Sequence, residues 1–308
     1  MTKTGSLTNS LTFKQQVLND LVWLIQSPGL LDDQHPLVLS DTELQSHFSY
    51  YKKWLLDLDQ HPDQIDASIR HPKPFVGDYF ENLVDFCLNN NQNFQKTRRR
   101  QTVYSNKRSI GEFDFLFTNE KSKLSYHWEV AVKFYLQHNN RYFGPNAKDR
   151  LDIKVHKMLT KQAKLAENPA SSALINDYSK PIIAKVILKG MLFYPSHTNW
   201  QSCADTEKYI SNNHLRGWWS YGHNPVIPKN SKQSRWLLLE KPHWLCSYGA
   251  ETKTKQLMDY ETLMHFITQH FANKQRPLFL AELMQNGSSQ YHELSRGFVV
   301  SANWPNTD

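Results

Sequence analysis

The stretch Ser109–Leu136 reads SIGEFDFLFTNEKSKLSYHWEVAVKFYL, in which two apolar runs flank a polar turn. The turn at residues 118–122 (TNEKS) favours a hairpin between two strands. Side chains alternate between the faces of a strand. On the first strand, one face is expected to carry Phe113, Phe115 and Phe117, and the other Glu112, Asp114 and Leu116. On the second, one face is expected to carry Trp128, Val130, Val132 and Phe134, and the other His127, Glu129, Ala131 and Lys133.

The charged faces of the two strands are expected to form one surface. Burying an unpaired charge costs several kcal/mol, so carboxylates clustered inside a sheet require a cation. Oxygen ligands at this density suit Mg²⁺ or Mn²⁺, and a nearby lysine can hold a water molecule or steady the charge on a phosphate. A hairpin with one solvated face, whose charges form surface pairs of little energetic value, is the alternative.

The hairpin resembles the core of the PD-(D/E)XK nuclease superfamily, in which a strand Asp is followed across a hairpin by an acidic residue and a Lys. The matching segments are GEFD at 111–114 and EVAVK at 129–133. The whole chain resembles the bacterial domain-of-unknown-function family 1853, which is usually grouped with that superfamily. This resemblance is carried by HWEVAVKFYL at 127–136, KGMLFYP at 189–195, RGFVV at 296–300 and the dipeptide Trp304-Pro305.

The resemblance implies a restriction-endonuclease-like αβββαβ core with a mixed sheet, N-terminal helices and a C-terminal extension of the sheet. The expected regions are 1–74 (helical), 75–195 (nuclease-like core) and 196–308 (an α/β extension packed on the same core). It also implies a metal-dependent nuclease that hydrolyses phosphodiester bonds of DNA. Asp114 and Glu129 would bind Mg²⁺ or Mn²⁺, with Lys133 as the catalytic lysine and Glu112 as an accessory acid. The alternative is a catalytically inactive protein of this fold that binds nucleic acid or a protein partner.

The spacing of the acid and the lysine departs from the superfamily pattern. That pattern separates them by two residues, which would place the acid at position 131, where this chain has Ala131. Glu129 lies one pleat earlier, so its Cα is expected roughly 13 Å from that of Lys133 instead of about 7 Å. A shifted acid can preserve the site, or it can mark a fold that has lost catalysis.

A helix is expected at residues 75–89, just before the hairpin strands, because apolar residues recur there at helical spacing. The resemblance implies that this helix supplies a further acid to the metal site, and Glu81 holds that position. An exposed helix acid without a metal is the alternative.

Two groups of basic residues lie on either side of the hairpin in sequence. The first, the basic margin, consists of Lys96, Arg98, Arg100, Lys107 and Arg108. The second, the basic stripe, lies on a helix expected at 148–166 and consists of Arg150, Lys154, Lys157, Lys161 and Lys164. Both groups are candidates for contact with DNA phosphates. The alternatives are an edge strand whose charges prevent aggregation and a solvated helix face.

Composition agrees with a polyanionic partner, since 36 basic and 29 acidic residues give a net charge of +7 over 308 residues. The three cysteines are far apart and form no Cys-x-x-Cys motif, which predicts neither a zinc site nor a disulfide framework. A reducing cytoplasm fits this cysteine usage. The N-terminus lacks the apolar core of a signal peptide and no apolar run approaches the length of a membrane span, so no membrane partner is expected.

The remaining periodicities predict elements on both sides of this core. Helices are expected at 11–26, from a cap at Ser40 or Asp41, and at 260–271. Strands are expected at 94–104, 181–193, 235–240, 277–283 and 297–301. Residues 194–234 are expected to be irregular, with the cluster at 216–219 (RGWW) pinning a long loop to the core or, alternatively, forming a platform for stacking on bases.

Overall fold

The computed structural model describes residues 13–203, 207–248, 257–285 and 290–305. Its helices are α1 (Gln16–Gln26), α2 (Asp41–His47), α3 (Tyr51–Gln60), α4 (Ala67–Arg70), α5 (Val76–Asn89), α6 (Leu151–Lys157) and α7 (Tyr260–Asn273). Its strands are β1 (Phe94–Ser105), β2 (Arg108–Asn119), β3 (Ser125–His138), β4 (Arg141–Phe143), β5 (Ile183–Pro195), β6 (Leu215–Tyr221), β7 (Arg235–Leu238), β8 (Leu278–Gln285) and β9 (Tyr291–Val300). The first residues of the helix expected at 11–26 lie outside the described ranges.

The described strands form one mixed sheet of nine strands in the order β1-β2-β3-β5-β6-β9-β8-β7, with β4 paired to β3. Strands β1, β2 and β3 are antiparallel neighbours, whereas β3, β5, β6 and β9 run parallel. Strands β8 and β7 close the far edge with antiparallel pairing. The prediction of a mixed α/β protein with a large mixed sheet is therefore confirmed. No helix in the described ranges has the length and apolar character needed to cross a membrane.

Strand β3 alternates as its sequence predicts. Trp128, Val130, Val132 and Phe134 face the main core, which includes apolar residues of α1 and α5. Ala131 and Tyr135 face a second cluster that includes Leu151 and Val155 of α6. The face that carries Glu129 and Lys133 is therefore the one covered by α6, and helices on both faces bury the sheet.

Strand β2 departs from the predicted alternation near Asp114. Phe115 and Phe117 face the main core, whereas Phe113 packs in a separate cluster with Leu116. The residue across from Asp114 on β1 is Arg100, whose φ of 52° lies in the left-handed region. Such a backbone irregularity increases local twist and redirects side chains. The prediction that the three phenylalanines share one face is wrong for Phe113.

The segment expected to be irregular at 194–234 contains strand β6, which lies between β5 and β9. Trp218 and Trp219 are buried in this strand, with exposed fractions of 0% and 4%. The tight fit at Gly217, where an added Cβ would meet the Phe193 ring, shows why this strand lacks an alternating pattern. The two indoles belong to the core, so they do not form an exposed stacking platform.

Candidate active site

The site begins where β2 and β3 separate. Backbone pairing between them runs from Thr118 opposite Ser125 to Phe115 opposite Trp128 and ends there. One residue further along β2, Asp114 Oδ2 accepts a hydrogen bond of 2.9 Å from the backbone N–H of Val130. The Asp114 side chain thus takes the place of a backbone acceptor, and it lies next to Glu129 on the neighbouring strand.

Asp114, which is partly buried, and Glu129, which is fully buried, form a pair of acids, and each has a raised pKa. Burial raises the pKa of Asp114 to about 7, helped by the charge of Glu129 and opposed by the hydrogen bond from Val130. Burial also raises the pKa of Glu129 to about 7, opposed by the charge of Lys154 and by a hydrogen bond with Asp114. Both shifts have the sign expected when carboxylates are buried together, and a bound cation would reverse them.

The carboxylate of Glu129 is held at both oxygens. Its Oε1 lies 2.8 Å from His127 Nε2, and its Oε2 accepts a hydrogen bond of 2.6 Å from Gln162 Nε2. Burial lowers the pKa of His127 to about 4, so the imidazole is neutral and donates from Nε2 to the carboxylate. His127 and Glu129 are both fully buried. These two donors fix the orientation of the carboxylate without adding a charge.

Lys133 lies on the predicted face, but its ammonium ion-pairs with Asp149 in the loop after β4. Lys154 of α6 is the lysine whose charge acts on both acids. Burial and the neighbouring charge of Lys133 lower the pKa of Lys154, while Asp114 and Glu129 raise it. The two lysines are therefore neighbours, and Lys154 provides the charge that compensates the acidic pair.

The remaining predicted acids lie at the margin of the pair. Glu81 of α5 accepts hydrogen bonds from Arg99 at 3.2 Å and from Arg100 at 2.8 Å. Its charge nevertheless contributes to the raised pKa of Asp114, so it lies close to the site. Glu112 is exposed on the β1–β2 hairpin and accepts a hydrogen bond of 2.7 Å from Thr102.

The basic margin divides into paired and unpaired cations. Arg98 forms an ion pair of 2.9 Å with Asp177, and Arg100 forms ion pairs with Asp78 and Glu81 at 2.6 and 2.7 Å. Lys96 donates to a backbone carbonyl. By contrast, Lys107 and Arg108 at the exposed hairpin turn form no ion pair with any residue in the described ranges.

The basic stripe divides in the same way. Arg150 pairs with Asp152 at 2.5 Å, and Lys154 turns into the site. Lys157 and Lys161 are exposed, and neither forms an ion pair with a described residue.

Three residues that the sequence did not single out complete the arrangement: Asp149, Gln162 and Arg99. Asp149 follows a turn that the sequence marks only with GPN at 144–146. Gln162 stands next to Lys161 in sequence, and its neutral side chain carries no charge pattern. No local signal distinguishes it, because its role depends on where the helix containing it lies across the sheet.

A divalent metal ion fits part of this site. Asp114 and Glu129 provide carboxylate oxygens, and burial raises the pKa of both although the charge of Lys154 opposes the shift. Over the part of the chain that the structure describes, no group of three or more His, Cys, Asp or Glu side chains is arranged to hold a metal ion. Glu81 becomes a third ligand only if it leaves Arg99 and Arg100.

The fold and the site define an α/β protein with a buried pair of acids where two strands of a mixed sheet separate. The family model described as domain of unknown function (DUF1853) matches residues 19–300, so the chain belongs to that family. No curated protein matches the chain, and no solved structure matches it.

Proposed function

We propose that this protein is a metal-dependent nuclease that hydrolyses phosphodiester bonds of DNA with Mg²⁺ or Mn²⁺. The observation that carries the proposal is the contact between the buried Asp114 and Glu129 carboxylates, each with a pKa raised to about 7. Two acids buried together destabilise a fold unless something compensates them, and a divalent ion is a suitable compensation.

The topology around the pair supports a restriction-endonuclease-like core. Helix α5 is followed by the antiparallel strands β1, β2 and β3, then by α6 and by β5, which pairs parallel to β3. This is the αβββαβ order that membership of the PD-(D/E)XK superfamily implies. The pair lies where the second and third strands of this core separate, and its two acids belong to the segments 111–114 and 129–133 that carry the resemblance to the superfamily.

In this proposal the residues divide into ligands, orienting groups and cations. Asp114 and Glu129 would hold the ion, while the Val130 amide, His127 and Gln162 fix the orientation of their carboxylates. A divalent ion held there would supply Lewis-acid chemistry, polarising the scissile phosphate and lowering the pKa of a bound water. The ammonium groups beside the pair favour the negative charge of the phosphate and steady it as charge develops during the reaction.

The proposed DNA surface consists of exposed cations that form no ion pair with any described residue. These are Lys107 and Arg108 on the hairpin turn, and Lys157 and Lys161 on the helical segment beside the site. Phosphate contacts from such residues give affinity without sequence preference and make binding depend on salt. A cytoplasmic location, where DNA and Mg²⁺ are both present, belongs to the same proposal.

The test is single-turnover cleavage of labelled single-stranded, duplex and branched DNA with Mg²⁺ or Mn²⁺. Asp114→Asn and Glu129→Gln keep the shape of each side chain but remove its charge, so both should abolish cleavage while DNA binding persists. Glu261→Gln is the control, because Glu261 is an exposed acid on α7 with no expected role in the site. If the wild-type protein cuts no DNA form with either ion, or if Asp114→Asn cuts as fast as wild type, the nuclease proposal is wrong.

A catalytically inactive protein that binds nucleic acid or a protein partner is the second candidate. Two observations favour it: Glu81 is held in ion pairs with arginines, and position 131 carries no acid. This candidate predicts salt-dependent DNA binding that is unchanged by Mg²⁺ and by Glu129→Gln. Filter binding across a salt series, with and without Mg²⁺, separates it from the nuclease.

A further inference from the structure

We infer that Lys154, not Lys133, supplies the ammonium that meets the reacting phosphate, and that Gln162 positions Glu129 beside it. This inference rests on the proposed nuclease function and deepens it. It replaces the expectation that the lysine on β3 carries this role.

The first observation is that Lys154 is a partly buried cation without a contacting anion. Within the described ranges its ammonium makes one hydrogen bond, a long one of 3.5 Å to Gln162 Oε1. No carboxylate in the described ranges lies within ion-pair distance of its ammonium. A buried charge is costly unless it is paired, so this ammonium has the capacity to accept an incoming anion. A phosphodiester oxygen beside the acidic pair is the anion that the proposed reaction supplies.

The second observation is that Lys133 lacks this capacity. Its ammonium already ion-pairs with Asp149 and is about one-third exposed. The charge of Lys154 is among the largest influences on the pKa of both Asp114 and Glu129. The extra pleat between Glu129 and Lys133 explains why Lys133 does not serve the pair. A lysine four residues from the acid on the same strand lies too far from the acidic pair to do so.

The third observation concerns the backbone that presents these side chains. Helix α6 ends at Lys157 and continues as a π-helical turn at Met158–Gln162, where the N–H of Ala163 bonds to the carbonyl of Met158 at 2.9 Å. In a regular α-helix, a residue eight positions after Lys154 would be rotated about 80° away from it. The wider π turn reduces that rotation, and π turns occur frequently at functional sites. It allows Lys154 and Gln162 to contact each other while Gln162 also reaches Glu129.

Gln162 is therefore a positioning residue. Its amide donates to Glu129 at 2.6 Å, and its carbonyl oxygen faces Lys154. One neutral side chain thus fixes the acid and the cation relative to each other. A glutamate at this position would place a third negative charge beside the pair, and a leucine would leave the Oε2 of Glu129 without its donor.

The experiment compares Lys154→Met with Lys133→Met, and uses Lys53→Met as a control for an exposed lysine of another helix, α3. Each variant keeps the aliphatic stem and removes the charge. Single-turnover cleavage should fall about 100-fold or more in Lys154→Met and less than about tenfold in Lys133→Met, with no change in Lys53→Met. Lys154→Arg should retain more activity than Lys154→Met, because it keeps the charge.

A second readout separates a role at the phosphate from a merely structural role. The readout is Mn²⁺ binding, measured by calorimetry without DNA at about pH 8.5. Lys154→Met should bind Mn²⁺ about fivefold more tightly than wild type, because a cation that repels the ion has been removed. Lys133→Met should bind Mn²⁺ as wild type does, because Asp149 already neutralises its lysine. Gln162→Leu should weaken Mn²⁺ binding and slow cleavage together, since Glu129 loses its orientation.

Two results would overturn the inference while leaving the nuclease proposal intact. One is a loss of cleavage in Lys133→Met as large as that in Lys154→Met. The other is a loss of Mn²⁺ binding in Lys154→Met or Lys154→Arg, which would make the lysine structural. If the wild-type protein cleaves no DNA, the proposed function fails, and this inference fails with it.

Discussion

Removing one acid from the buried pair should change how the stability of the protein depends on pH. The pKa of Asp114 is raised from 3.8 to about 7 in the folded protein. Between these values the folded state holds a proton that the unfolded state releases. Stability therefore falls as the pH rises through this range and becomes constant above the folded-state pKa. Asp114→Asn removes this contribution, because the amide does not titrate.

The size of the effect follows from the shift. Each pH unit between the unfolded and the folded pKa costs about 1.4 kcal/mol of unfolding free energy for one such group. From about pH 5 to about pH 7, the wild-type protein should lose roughly 3 kcal/mol through Asp114 that Asp114→Asn keeps. Glu129 is present in both proteins, so it contributes to the difference only through its interaction with Asp114. The variant should be the more stable protein above neutral pH.

The assay is urea denaturation followed by tryptophan fluorescence, carried out with a chelator at several pH values between about pH 5 and about pH 8. Glu112→Gln is the control, because this exposed acid should give a profile parallel to that of wild type. Adding Mg²⁺ at about one hundred times its Kd should stabilise wild type by about 2.7 kcal/mol and Asp114→Asn by less. Parallel pH profiles for wild type and Asp114→Asn would refute the reasoning, since Asp114 would then not titrate in a buried pair.

Two further predictions concern the backbone and the DNA surface. Gly190→Ala should destabilise the protein by about 3 kcal/mol or more, because φ at Gly190 is +138° and an added Cβ would overlap a carbonyl of β3. Gly77→Ala is the control in the same urea assay, because a Cβ added at Gly77 meets nothing within 4 Å. Replacing Lys107 and Arg108 together by Ala should reduce the slope of log DNA affinity against log salt concentration by up to about 1.8. Arg98→Ala should reduce this slope less, because Arg98 already forms an ion pair with Asp177. Fluorescence anisotropy with a labelled duplex measures both slopes, and equal changes would contradict the division into paired and unpaired cations.

The elements that the sequence predicted well are those whose burial differs clearly between their faces. Strand β3 is apolar on one side over four alternating positions, so its register relative to the core follows from its pattern. The N-terminal cap of α2 follows from Ser40, whose Oγ accepts a hydrogen bond of 3.1 Å from the N–H of Glu43. In both places, local chemistry and the tertiary environment favour the same structure.

The features that the sequence did not predict depend on contacts between distant segments. Asp149 lies 16 residues from Lys133, and Gln162 lies 33 residues from Glu129, so neither contact has a local signature. The π turn also has no residue pattern of its own, and the periodicity at 148–166 therefore predicted a regular helix with a basic stripe. Strand β6 was missed because its sequence does not alternate between apolar and polar residues. Its tryptophans and Gly217 instead pack closely against the neighbouring strands.

Several of the charged groups around the pair are neutralised by one another. Lys133 is neutralised by Asp149, and the cluster of Arg99, Arg100, Asp78 and Glu81 carries equal numbers of positive and negative charges. His127 is neutral because burial lowers the pKa of its imidazole to about 4.

The set that remains at the pair consists of two carboxylates, Asp114 and Glu129, and the ammonium of Lys154, which acts on both. The exposed Lys157 also acts on Glu129 and lies outside this set. A divalent ion added to this set leaves one positive charge, which one phosphodiester group neutralises. The arrangement is thus unbalanced when empty and balanced when it holds both the metal ion and the phosphate. Because Lys154 touches no anion in the described structure and Glu129 is already held at both oxygens, the phosphate of the proposed reaction would lie on the Lys154 side of the pair. A nuclease with this site would bind its metal ion more tightly once DNA is present. The reason is that the negative phosphate and the positive metal ion would then compensate each other.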